Sequence, residues 1–400
     1  MMKVLQLCSK PPRPTMDGGT MAMDSITRGL LSAGCKVKVL TIETDKHPFQ
    51  REALTSDYLA QTEIEAVRVD LDFKILPAAV NTLCGDSYHV KRYVSQAFGQ
   101  KLKEILQNEP FDVVHIESLF LLPYIPLIRH FSDAPVVLRA HNVEHLIWQR
   151  MAAHTSNRWR RGLLKQDALA LRAYELEHIN DCDGVACITR EDADFFRSHG
   201  CRRPIEVVPI GVEVNDSPSK KVDNRTLYHI GAMDWKPNQE AVDWLLKEVW
   251  PTIHRAVPQA KLHLAGRKMP AEMMQKDAEG VEMHGEVADA KEFIADKHIN
   301  IVPLLSGSGM RVKIIEAMAM GKTVISTSIG AQGIDYVHGE NILIANTPDE
   351  FASCVRRCIE DTQYSRHIGE AAQRLVRDRY SLHTTTSQLM AFYNRIIEKQ

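Results

Sequence analysis

The sequence has no apolar run approaching the roughly 20 residues that a membrane-spanning helix needs. Its first residues, MMKVLQLCSKPPRP, break into prolines after one short apolar run, too short for a secretory signal core. Charge of one sign is also missing: Lys and Arg number 49 against 51 Asp and Glu, a formal net charge of -2. That balance leaves no large basic face, so nucleic acid is not an expected partner. Clustered cysteines are absent as well. The eight cysteines are scattered, and the nearest pairs, Cys182/Cys187 and Cys354/Cys358, lack C-x-x-C spacing. Reduced thiols of a cytoplasmic chain are expected, not a disulfide framework or a structural zinc site. The inner face of the membrane is the alternative location.

A phosphate loop is missing too, despite an inviting MGKT at 320–323. That loop needs a glycine five residues before its Gly-Lys pair so that backbone N–H groups can curl around phosphate. Here Gly321-Lys322 is preceded at that spacing by Glu316. A carboxylate there would repel the phosphate. The run SGSGMRVKIIEAMAMGKTVIST instead predicts a Gly/Ser loop, a helix from about Arg311 to Met320, a stop at Gly321 and a β-branched strand.

What is present is a recurring pattern. At 400 residues the chain exceeds the size at which one core keeps growing, so two domains are expected. KVLQLC, KVKVLTI, DVVHIE, PVVLRAHN, DGVACIT and IEVVPIG are mostly continuous apolar runs between helical patterns, as strands covered on both faces read. After the polar stretch SPSKKVDNR (217–225), RTLYHIG, KLHLAG, GVEMHG, INIVPL, TVISTS and NILIAN repeat the series. The fold class is α/β, with two tandem Rossmann-like, doubly wound domains. Helical patterns continue from about Thr347 to Gln400. Ligands in such folds sit beyond the carboxyl ends of the strands, and a cleft between two such domains is the expected site.

The strongest candidate is the loop ahead of the 311–320 helix. Gly307, Ser308 and Gly309 allow close backbone approach, Met310 follows, and the first helical N–H groups lack internal partners. A helix N-terminus attracts anions and disfavours cations, yet Arg311 and Lys313 fall in this first turn. A bound diphosphate would resolve the misfit. Glu316, one turn on, leans back toward the same loop and suits a ribose diol. Asp17-Gly18-Gly19 after the first strand reads as a first βα loop, and His141-Asn142 stands at the carboxyl end of another strand. The aspartate pairs at 70–72 and 181–183 are not expected to bind metal. In NRWRRGLLKQ (157–166), the apolar residues are expected to pack on their own domain, with peripheral membrane contact the weaker reading.

Together these motifs resemble retaining glycosyltransferases of family 4, nucleotide-sugar enzymes with the GT-B fold. The resemblance runs through the glycine pair followed by L-x-x-x-G-x-x-V, then HNVE, VVPIGVEV, IGAMDWKPN and SGMRVKIIEAMAMGKTVIST. It implies an acceptor domain at 1–215, a donor domain at 216–379 and a tail helix, about 380–400, packing back on the first. It implies that Glu316 binds ribose, that Arg311, Lys313 and Lys236 contact the donor diphosphate, and that His141 lies near the transferred sugar. Gly18 and Gly19 would close on the substrates, and Gly285 and Glu286 would lie near the base. The implied partners are a nucleoside-diphosphate sugar and a carbohydrate or lipid-linked acceptor hydroxyl, with no cofactor and no metal, in polysaccharide or glycolipid biosynthesis. Two positions depart from the family pattern: Ser308 replaces the first glutamate of E-x7-E, and Ala232 stands where many members carry a basic residue. A nucleotide-sugar epimerase of the same fold, or a non-catalytic sugar-nucleotide binding subunit, are the competing expectations.

Overall fold

A computed structural model describes residues 1–71, 87–153, 155–214, 222–307 and 309–399. The chain divides into two compact units, Met1–Gly211 with Thr385–Gln400, and Val212–Thr384.

The first unit holds a seven-stranded, wholly parallel sheet. Its strands are β1 (Lys3–Cys8), β2 (Lys36–Glu43), β3 (Glu65–Arg68), β4 (Val113–Glu117), β5 (Val136–Ala140), β6 (Gly184–Cys187) and β7 (Ile205–Val207), in the order β3-β2-β1-β4-β5-β6-β7. Six coincide with the apolar runs. β3 does not, because it is an edge strand with one sheet neighbour and its residues, EAVR, are half-buried or exposed. The order reverses between β1 and β4, and the carboxyl ends there are where doubly wound sheets leave a ligand crevice.

Helix α1 (Gly18–Ser32) follows β1 and begins with a capping box: Asp17 accepts from the Thr20 N–H, and the Thr20 hydroxyl side answers the Asp17 N–H. One face of the sheet is covered by α2 (Gln96–Asn108) through Phe98, Leu102 and Ile105. On the other face α1 shares the core with the final helix, whose Leu389, Phe392, Tyr393 and Ile396 pack on Val4, Val37, Val113 and Val137. Each such fully buried side chain contributes about 1.5–3 kcal/mol. Gly184 is required under that helix, since a Cβ there would stand 2.7 Å from the Phe392 ring.

Two further helices, α3 (Glu144–Ala153) and α4 (Arg158–His178), follow β5. The start of α4 does not pack as its composition suggests. Trp159 and Leu163 are exposed, at 88% and 48%. The helix instead buries its middle, through Ala168 and Leu171, so its first turns carry apolar side chains into solvent.

The second unit repeats the plan with six parallel strands: β8 (Thr226–Ile230), β9 (Lys261–Ala265), β10 (Val281–Gly285), β11 (Ile299–Val302), β12 (Thr323–Ser326) and β13 (Leu343–Ile344), in the order β10-β9-β8-β11-β12-β13. Here the order reverses between β8 and β11. Helices α5 (Lys236–Trp244), α6 (Ala290–Ala295), α7 (Val312–Ala319), α8 (Pro348–Glu360) and α9 (Thr362–Arg379) cover it, and α10 (Leu382–Ile397) ends the chain, with residues 385–397 in the first unit. The helix expected from Arg311 to Met320 is shorter: Arg311 is its N-cap, with extended φ/ψ, and Met320 its C-cap. Among the described residues the cysteines are unpaired, and no helix is long and apolar enough to cross a membrane.

Candidate active site

At the switch point of the second sheet, β8 runs into Gly231 and β11 into the 303–311 loop. Gly307 has φ 125°, a conformation L side chains rarely adopt. A Cβ on it would stand 2.4 Å from the Arg311 guanidinium and 3.0 Å from the Trp235 ring. Arg311 is buried, its guanidinium 5.1 Å from the centre of that ring, and it donates to the Gly309 carbonyl at 3.0 Å. Gly307, Gly309 and Trp235 thus lie around the arginine, and Met310 beside it in the chain is buried. Ser308 lies outside the described residues.

Lys313 points back along the first turn of α7. Its Nζ donates to the Ile230 carbonyl at 3.3 Å and to Asn238 Oδ1 at 3.2 Å, both neutral oxygens at the end of β8 and in α5. Burial and the neighbouring Arg311 push its pKa down to about 7. His229, on β8, donates its Nδ1–H to the Ile301 carbonyl at 2.8 Å, and burial followed by Lys313 holds its pKa down at about 3, so its ring is neutral. Two cations therefore share a helix N-terminus in a place that favours the uncharged amine. An anion bound there would restore the ammonium form.

The other second-unit candidates separate. Lys236 opens α5 with its side chain 80% exposed and 3.9 Å from Glu240, whose carboxylate also accepts from the Ser306 hydroxyl at 3.0 Å. Lys236 can therefore swing, whereas Arg311 and Lys313 are held. Glu316 lies near Tyr228, whose ionisation burial and that carboxylate both oppose. Gly285 ends β10 at φ 65°, and its carbonyl accepts from the Gly266 N–H at 2.7 Å. Glu286 follows, exposed. Gly266 must be glycine: a Cβ there would stand 2.0 Å from the Gly231 carbonyl oxygen. The ends of β8, β9 and β10 thus pack backbone against backbone.

In the first unit the carboxyl ends of β1, β4 and β5 carry a polar network. Glu117, the last residue of β4, is fully buried. Its Oε1 accepts from Gln6 Nε2 at 2.8 Å, and its Oε2 lies 2.8 Å from His141 Nε2. Burial pushes this carboxyl up, but His115 alongside and the hydrogen bonds from His115 and His141 outweigh it and hold it well below the usual range. His115 is held in turn by the Tyr393 hydroxyl at 2.7 Å on its Nδ1. His141 is mostly buried, and desolvation lowers its pKa despite Glu117, so the ring is neutral at pH 7 with Nε2–H donated to the carboxylate. That fixes the tautomer and leaves Nδ1 as the acceptor. A small cavity beside it is lined by Ser118, His141, Asn142, Glu144 and Glu175. Burial and Glu175 push the Glu144 carboxyl up to about 8.

Gly18 and Gly19 begin α1, and nothing lies within 4 Å of where a Gly18 Cβ would be. Asp17, just before them, accepts from Lys10 Nζ at 2.7 Å and stands 3.1 Å from His47 Nε2. Burial raises its pKa, but His47 and Lys10 together hold it far below the usual range. The N-terminus of α1 is therefore already supplied with a negative charge.

Residues 16–216 match the family described as Glycosyltransferase Family 4, and residues 224–361 match Glycosyl transferases group 1. The chain belongs to glycosyltransferase family 4. Among curated proteins, an uncharacterized 44.6 kDa protein in the cps region of Klebsiella pneumoniae is 26% identical over 293 residues, 70% of this chain and 74% of that one. Among solved structures, Anabaena HepE in complex with UDP and glucose superposes with a TM-score of 0.67 at 17% identity, covering 98% of this chain and 100% of that one. Sucrose-phosphate synthase from Thermosynechococcus elongatus gives 0.70 at 14% identity, covering 100% of both chains. S. aureus TarM gives 0.69 at 11%, covering 98% of this chain and 99% of that one. The fold of this glycosyltransferase is thus GT-B.

Several residues of the network had no signal in the sequence. Glu117 and His115 read as the tail of an apolar strand, and Lys10, Asn238 and Trp235 as loop or helix residues. Pairing β1 with β4, Cys8 beside Glu117, and β4 with β5, Ile116 beside Leu138, is what brings Gln6, Glu117 and His141 together.

Proposed function

We propose that this glycosyltransferase moves a sugar from a nucleoside-diphosphate sugar to an acceptor hydroxyl with the anomeric configuration kept and without a metal. The observation that carries this is Lys313: a buried amine held by neutral oxygens beside a second cation, at a helix start, behind a loop closed by Gly307 and Gly309. A diphosphate leaving group gains negative charge as the glycosidic bond breaks, and prearranged donors lower the barrier without reorganising. The N–H groups opening α7, with Arg311 and Lys313, supply such donors, and exposed Lys236 adds a mobile one. Glu316 takes the ribose diol, and Gly285 and Glu286 the base. His141 presents its Nδ1 and positions the transferred sugar, with Glu117 fixing its tautomer, while Gly18 and Gly19 let the first-unit loop approach. Attack on the same face, assisted by the leaving diphosphate, is the route that the resemblance to retaining family members suggests.

The cps-region relative supports polysaccharide biosynthesis and hence a carbohydrate or lipid-linked acceptor. The UDP complexes of HepE make UDP-sugars the first donors to try. Purified protein given a panel of nucleotide sugars should release nucleoside diphosphate only when an acceptor is added, with the product linkage matching the donor's anomeric configuration. Conversion of the donor to an isomer without release would identify an epimerase instead.

A further inference from the structure

A cluster of nitrogen and oxygen donors stands on β9 and β10 of the second sheet, directly ahead of Gly285 and Glu286, the residues assigned to the base. β9 and β10 run parallel with Glu282 beside His263, and the two-residue repeat of β10 brings His284 to the same face. Nδ1 of His263 lies 3.0 Å from Nε2 of His284 and 3.3 Å from Oε2 of Glu282. His284 Nε2 lies 3.8 Å from that same oxygen. A tetrahedral zinc ion with bonds of about 2.0–2.1 Å holds its ligand atoms roughly 3.3–3.4 Å apart, which these three spacings bracket. We propose that His263, Glu282 and His284 bind a divalent transition-metal ion of the zinc class, with water in the fourth position.

Two imidazoles and one carboxylate select zinc, cobalt, nickel or copper over magnesium, which prefers six oxygens. The His263 side chain is largely buried, at 12% exposure, with its Nδ1 turned toward Glu282 and His284. The charged groups that His263 faces besides Glu282 and His284 are Lys297 and Asp296. Lys297 spends its charge on Asp296 at 2.9 Å and on the Phe293 carbonyl at 2.6 Å, so it does not occupy the donor set. Phe293 of α6 meets the His284 ring edge-on at 5.1 Å and limits its rotation.

β10 has one neighbour in the sheet, β9. An ion shared by His263 on one strand and Glu282 and His284 on the other clamps this edge just before it ends at Gly285. The role is structural, and because Gly285 and Glu286 follow directly, metal binding and melting, not donor affinity, are what the test reads, so the proposed reaction stands or falls separately.

The test uses the full chain, stripped with chelator and titrated with Co2+, then Zn2+. Variants His284→Asn and Glu282→Gln serve as controls, since both side chains are partly exposed, at 34% and 52%, and their loss leaves the core intact. Expected are one equivalent of cobalt with the strong visible absorption of a four-coordinate ion, displacement by zinc, and no competition from magnesium. Affinity should fall about tenfold or more in His284→Asn. Zinc should raise the melting temperature of the parent protein but not of His284→Asn. Equal cobalt affinity and spectra in parent and variants would overturn the site, as would the absence of a four-coordinate spectrum, which would leave His263 and His284 as a hydrogen-bonded pair only.

Discussion

Lys313 makes donor binding depend on pH in a direction the structure fixes. In the free protein its pKa stands at about 7 because burial and Arg311 oppose the ammonium form. A diphosphate beside it raises that pKa. Below pH 7 the lysine is already charged and affinity is at its full value; above pH 7 binding must take up a proton. The Kd should therefore be flat below about pH 7 and rise about tenfold per unit above it, reaching roughly a hundredfold by pH 9, since one pKa unit is about 1.4 kcal/mol. An intact nucleotide sugar is the right ligand, because its diphosphate diester does not titrate in this range. Calorimetry in buffers of different ionisation enthalpy would read the proton uptake directly. Lys313→Met should abolish the slope and weaken binding at pH 6. It should also stabilise the unliganded protein: a lysine whose folded pKa is lowered costs stability below that pKa, and the cost fades as pH rises toward the unfolded value. Removing it should gain on the order of a few kcal/mol at pH 6, or several degrees in Tm. A Kd unchanged from pH 6 to 9, with no proton uptake, would refute the reasoning.

Arg311→Ala should lower turnover at least about tenfold, as loss of a charge-assisted hydrogen bond worth roughly 1.5–3 kcal/mol implies; a steady-state assay with saturating donor reads it. Glu117→Gln leaves buried Arg139 without its nearby anion, so melting should show a loss of about 3–5 kcal/mol at neutral pH. Because the folded pKa of Glu117 is depressed, its contribution is present above about pH 4.5 and fades as pH falls, so parent and variant should converge in acid. Gly266→Ala forces a Cβ against the Gly231 carbonyl and should cost about 1–3 kcal/mol by chemical denaturation, whereas Gly18→Ala, with open space around it, should leave stability within about 0.5 kcal/mol and change only kinetics.

Much of this was written locally. Twelve mostly apolar runs announced twelve of thirteen strands, because a strand covered on both faces tends to be apolar along its length. β3 escaped because its residues, EAVR, are half-buried or exposed and form no apolar run, whereas the edge strands β7, β10 and β13 kept recognisable ones. The Gly/Ser loop, the misplaced cations of Arg311 and Lys313 and the stop at Gly321 were legible because a helix start imposes its own charge preference over one turn.

The sequence could not say which long-range partners those residues would find. Arg311 proved to be the cap and not the first turn, and Lys313 met Asn238 and the end of β8 only through strand order. Trp159 and Leu163 looked like core and are solvent-facing, since burial depends on what α4 packs against, not on its composition. Glu117, His115 and Gln6 became the support of His141 through parallel register. Local chemistry is carried by neighbours in the chain and was determined by the sequence itself; proximity across a hundred residues is decided by the packing of sheets, and only the tertiary structure supplied it.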